Sequence, residues 1–178
     1  MMERITLTLV AFVFATGLVA QGKQISLGVD IAIPLREFDN RLSLGRGPAV
    51  GFELPAGEKL GVTLQGAYDF LVTNDSISQI VKSSIMIPFQ GGLKYYFKGQ
   101  QEGFYAHAQL GIHFSMRKYY DEVYNSNSID PTWAIGVGYQ LEHFDFGVRY
   151  NSLLSWKNHG GGGVGYLGLR LAYLIKLN

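Results

Sequence analysis

Residues 104 to 115 read FYAHAQLGIHFS, and their two interleaved sets of positions differ in kind. Phe104, Ala106, Ala108, Leu110, Ile112 and Phe114 are all apolar, whereas Tyr105, His107, Gln109, Gly111, His113 and Ser115 are polar or small. Successive side chains of a β-strand point to opposite faces. The segment is therefore a strand with one apolar and one polar face, about twice the usual length of ~5–6 residues. The same alternation marks seven further strands, predicted at 24–35, 48–54, 59–72, 84–98, 132–141, 144–152 and 165–177.

The connections alternate as well. Residues 55–58, 99–103 and 142–143 are tight turns of the kind that close hairpins. Residues 36–47, 73–83, 116–131 and 153–164 are long connections. Short turns at one end and long loops at the other are the asymmetry of outer-membrane barrels. The expected fold is all-β: an eight-stranded antiparallel up-and-down transmembrane β-barrel.

A soluble barrel would alternate too, with its apolar face inside. The polar face separates the two possibilities. It carries Gly28, Ala32, Ala49, Gly51, Gly61, Ala67, Gly92, Gly111, Ala134, Gly136, Gly138, Gly147 and Gly168, small residues that suit a narrow interior. A water-exposed wall would carry Lys, Glu and Thr instead. Only 16% of residues are charged, against roughly 25% in ordinary soluble domains. Phe, Tyr and Trp gather near strand ends, as girdles at a membrane interface do.

Residues 1–20 form an expected signal peptide. A short start with Arg4 precedes the uncharged apolar run Ile5 to Ala20, and the chain turns polar at Gln21. At about 16 residues the run is short for a membrane helix of ~20. Cleavage after Ala20 would leave 21–178 as a single barrel domain. The chain has no cysteine, which removes disulfides, thiolate catalysis and thiolate metal sites. A formal net charge of +1 and the lack of basic runs argue against nucleic acid as a partner.

This pattern resembles the small eight-stranded outer-membrane proteins of the OmpA transmembrane-domain, OmpX and OmpW type. In the last strand, Tyr166, Gly168, Leu171 and Tyr173 are similar to the spacing that the barrel-assembly machinery reads in that group. The chain ends Lys176-Leu177-Asn178, where such proteins commonly end on an aromatic residue. The resemblance implies a bacterial outer-membrane location and lipids and lipopolysaccharide as neighbours. It also implies insertion by the assembly machinery, a monomeric state and a structural or surface-contact role without a cofactor.

The expected inner face carries Asp30, Glu53, Asp69, Lys94, His107, Arg149 and Arg170, together with Gln65, Gln90 and Gln109. Charges inside a tight barrel must be paired or solvated, so these residues are expected to form an interior polar network that plugs the lumen. Tyr119, Tyr120, Tyr124 and Trp156 fall in long loops and are candidates for surface contact. His107 and His113 share a face but sit roughly 20 Å apart at ~3.3 Å per residue, so no metal site is expected. The step His113-Phe114-Ser115 resembles lipid A deacylases of the PagL type, whose catalytic His and Ser face lipid. Here the alternation turns His113 and Ser115 inward. A lipid A hydrolase and a narrow channel or small-ligand carrier are the alternatives to the structural role.

Overall fold

The computed structural model describes residues 22–35, 42–73, 81–119, 126–154 and 164–177. Every regular element among them is a strand: β1 (Lys23–Pro34), β2 (Leu42–Pro55), β3 (Leu60–Ala67), β4 (Asp69–Thr73), β5 (Val81–Tyr96), β6 (Gly103–Tyr119), β7 (Ser126–Gln140), β8 (Phe144–Leu153) and β9 (Val164–Leu177). All pairings are antiparallel, they join chain neighbours once β3 and β4 are counted as one strand, and β1 also pairs with β9, which closes the sheet. β3 and β4 are two halves of one barrel strand, interrupted at Tyr68 and paired on both sides with β2 and β5. The barrel therefore has the eight strands that the sequence predicts.

Its stagger follows from the register. From Ile25, successive cross-strand partners are Phe52, Leu64, Gly91, Leu110, Trp133, Ser152 and Gly165. The carbonyl of Gly165 accepts from the Leu35 amide at 3.1 Å, so the circuit re-enters the first strand ten residues beyond its start. Ten residues at ~3.3 Å, around eight strands ~4.8 Å apart, tilt the strands by about 40° and set a backbone radius of about 8 Å. Side chains from opposite walls of so narrow a tube meet at its axis.

The outer wall is apolar. Leu110 is 72% exposed and Phe104 66%, while their inward neighbours Gln109 and Tyr105 are buried. In water such a wall would drive aggregation; its natural solvent is lipid. Phe104 packs edge-on against Tyr139 at 4.7 Å and Phe144 against Tyr173 at 5.6 Å near the short turns. Tyr68 with Phe70, and Trp133 with Tyr150, pack similarly toward the loops.

Three features differ from the sequence expectation. Residues 42–47, 81–83, 116–119 and 126–131 belong to β2, β5, β6 and β7, not to long connections. Hydropathic alternation marks only the part of a strand that meets lipid, whereas backbone pairing continues past it. The 59–72 strand is broken at Tyr68, whose amide donates to the Pro48 carbonyl at 2.9 Å. There the Tyr68 carbonyl presses on the Cα of Gly47, leaving no room for a Cβ. The inner face is also less uniformly polar than expected. Ala32, Leu71, Met86, Leu153 and Tyr166 form a buried apolar cluster inside the loop end of the barrel.

Candidate functional site

The interior is built in layers. Nearest the short turns, β5 directs Lys94 and Tyr96 inward, because they lie in the same phase as Gln90 and Gly92. Lys94 Nζ is 3.3 Å from Glu53 Oε2 on β2 and 3.0 Å from Asp145 Oδ2 on β8, and it donates to Gln140 Oε1 on β7 at 2.7 Å. Its charge also sits 3.9 Å from the ring centre of Tyr105. The Tyr105 hydroxyl donates to Asp145 Oδ1 at 2.6 Å, and the Tyr96 hydroxyl lies 2.7 Å from Glu53 Oε1. One ammonium thus ties together two carboxylates from distant strands. Gln140 Nε2 donates to Gln24 Oε1 at 2.9 Å and so reaches across to β1.

The middle layer centres on two arginines. Arg149 on β8 forms a salt bridge with Asp30 on β1 and donates to Gln65 Oε1 at 2.8 Å. Arg170 on β9 donates to Ser26 Oγ at 2.8 Å and approaches Gln65 Oε1 at 3.4 Å. Asp30 and Arg170 are direct cross-strand partners, yet the Asp30 carboxylate reaches over to Arg149. Gln90, Thr132 and Asn151 are linked by bonds from the Gln90 amide at 3.3 and 3.2 Å. Gln109 donates to Thr63 at 3.1 Å. His107 is buried against the Tyr105 ring, and neither of its nitrogens has a hydrogen-bond partner among the described residues. Asp69 is buried at the loop side of this layer.

Toward the loop end, His113 is fully buried and Phe114 lies on the opposite face of β6. His113 Nδ1 is 3.1 Å from Ser115 Oγ. Asp130 is the residue directly across from His113 on β7, and it accepts from Ser128 Oγ at 2.9 Å. The His113 ring also meets Tyr166 edge-on at 6.2 Å, beside the apolar cluster.

Of the residues singled out from sequence, Glu53 and Lys94 meet in one cluster and Asp30 and Arg149 in another. Arg170 joins the second through Gln65, and His107 lies between the two. Tyr119 ends β6, while Tyr120, Tyr124 and Trp156 lie outside the described residues, as do residues 1–20. The sequence reading put Tyr105 on the polar face but gave it no role, and it gave none to Gln24, Tyr96, Asp130, Gln140 and Asp145. The signal for them was present: each shares its strand phase with an inward residue already recognised or alternates with an outward aromatic or aliphatic one, as Asp145 does between Phe144 and Phe146.

No protein-family model and no curated protein matches this sequence. Solved structures do. The chain is similar to Ail, the attachment invasion locus protein of Yersinia pestis, with a TM-score of 0.60 at 14% identity, covering 88% of this chain and 100% of that one. It is similar to Neisserial surface protein A, with a TM-score of 0.58 at 16% identity, covering 88% and 96%. The N-terminal β-barrel domain of OprF from Pseudomonas aeruginosa gives 0.53 at 12% identity, covering 88% and 99%. The closed eight-strand circuit, the apolar outer wall and these likenesses agree: the chain has the fold of the small eight-stranded outer-membrane β-barrels.

Proposed function

We propose that this protein is an integral barrel of the bacterial outer membrane with a structural or surface-contact role and a closed lumen. The observation that carries this reading is the interior itself. Two ionic clusters and an apolar cluster stack along a tube only about 8 Å in radius, so no wide path for solutes remains. Lipid and lipopolysaccharide surround the apolar wall, the assembly machinery inserts the chain, and the barrel acts as a monomer. The short turns then face the periplasm and the long loops face outward. Contacts with other surfaces fall to those loops and to the strand end beside them, where Tyr119, Tyr120, Tyr124 and Trp156 supply aromatic groups. Reconstitution into planar bilayers tests the closed lumen: the expected result is no unit conductance above the bare membrane, and steady porin-like steps would overturn it. Sedimentation in detergent tests the monomer.

One arrangement favours a second reading. Ser115 Oγ lies 3.1 Å from His113 Nδ1, and Asp130, whose carboxylate accepts from Ser128, sits across from His113 on β7. With His113 and Ser115 pointing inward and His113 Nε2 without a partner among the described residues, a hydrolase of this kind would have to draw an acyl chain of lipid A into the loop end of the lumen. Lipid A from expressing cells decides it. Loss of an acyl chain that disappears with Ser115→Ala would establish the hydrolase, and unchanged lipid A would remove it.

A further inference from the structure

The β5–β6 turn is strained where it touches the lumen. Gln100 and Gln101 have φ of 58° and 54°, so two consecutive non-glycine residues are left-handed. Turns of this shape normally take Asn and Gly, because a Cβ crowds the following carbonyl. The turn is pinned by the Gln100 amide on the Glu58 carbonyl at 2.7 Å. Gln101 meanwhile reaches into the barrel. Its Nε2 donates to Glu53 Oε1 at 3.1 Å, and its carbonyl accepts from Gln140 Nε2 at 2.7 Å.

Gln101 lines one of two nearby spaces and bonds to Glu53, which lines the other. Below it an open depression of about 370 Å³ at the periplasmic mouth is lined by Gly22, Gln24, Pro55, Glu58, Gln101 and Glu142, among others. Above it a small cavity of about 10 Å³ touches Gln24, Ser26, Glu53, Thr63 and Lys94, with room for about one water. Gln24 borders both. In the layer around them Gln101 bonds to Glu53 and to Gln140, and the buried Tyr96 hydroxyl lies 2.7 Å from both Glu53 Oε1 and Gln140 Oε1. Gln24, Glu53, Tyr96 and Gln140 are carried by strands, whose backbones the ladder holds in place. Gln101 alone is carried by a turn, and its left-handed backbone opposes the two hydrogen bonds that hold it in.

The geometry points to a hinged stopper: the β5–β6 turn swings Gln101 out of the barrel and admits periplasmic water and small cations to the Lys94–Glu53–Asp145 cluster. The strain of Gln100 and Gln101 is released as the stopper leaves, which keeps the open state within thermal reach. The Arg149 layer and the apolar cluster above still close the tube, so the opened space is a dead-end chamber.

The chain has no native cysteine, so Thr63→Cys gives the full barrel a single thiol facing the small cavity. Silver ion, small and thiol-specific, is the probe, and the remaining free thiol is counted by maleimide after unfolding. Gln101→Gly relieves strain and removes the stopper, and should raise the silver reaction rate at least tenfold. Gln100→Gly relieves strain in the seated turn but keeps the stopper, and should slow the reaction about threefold. Gln101→Asn tolerates the left-handed backbone but is too short to reach Glu53; it should also accelerate, and it serves if the glycine variant does not fold. Equal acceleration by the Gln100 and Gln101 variants, or no acceleration by either Gln101 variant, would overturn the stopper.

Discussion

At the scale of single residues, the interior ion pairs are asymmetric in what their loss leaves behind. Lys94→Ala strands two buried carboxylates, Glu53 and Asp145, and breaking a buried pair in this way costs about 3–5 kcal/mol. Urea unfolding in lipid vesicles should show that loss; a change below about 1 kcal/mol would mean the cluster is hydrated and weak. Arg149 and Arg170 look equivalent in sequence, yet among the described residues it is Arg149, not Arg170, that forms a salt bridge with Asp30. Arg149→Ala should therefore destabilise more than Arg170→Ala, which loses hydrogen bonds to Ser26 and Gln65 worth roughly 1.5–3 kcal/mol. The reverse order would show that Asp30 is held chiefly by its cross-strand neighbour. The strand phase of all these groups was legible, because a period of two tells inside from outside at each position. Their partners were not. Asp30 meets Arg149 and Lys94 meets Asp145 only because the strands are staggered as they are, and no local pattern encodes the stagger.

At the scale of strands, close packing of the curved wall falls on particular glycines. A Cβ on Gly92 would run into the Ala108 carbonyl, whereas one on Gly91 would find only ordinary contacts at 3.6 Å. The two are adjacent on β5 and face opposite ways. Gly92→Ala should cost about 1–3 kcal/mol through overpacking, and Gly91→Ala should be close to neutral. Thermal unfolding of the pair in one detergent checks it, and equal losses would refute the steric account. Strand ends were the least legible part of the fold. β6 runs on through Met116 and Lys118 after its apolar alternation has ended, because nothing about backbone pairing requires lipid on either side. The break at Tyr68 was hidden for the opposite reason. Tyr68 keeps the alternation going, and the irregularity lies in a carbonyl pressed onto Gly47.

For the whole molecule, an unbroken hydrogen-bonded circuit should hold its shape in SDS until heated. The protein is expected to migrate faster unheated than boiled, and identical mobility would argue against a closed barrel. The membrane character was legible because small residues such as Gly111 and Gly136 occupied the face that a soluble barrel would show to water. The apolar cluster of Leu71, Met86 and Leu153 escaped notice, since apolar residues near strand ends read equally well as wall or as loop. Closure has one more consequence. The seam joins Lys23 to Leu177 and continues through Pro34 with Tyr166, so the two flanks of the sheet are held by one run of β1–β9 bonds. A copy lacking either strand would carry two raw edges, each a row of unpaired amides and carbonyls. The circuit is thus all or nothing in a way that no single pair along the wall reveals.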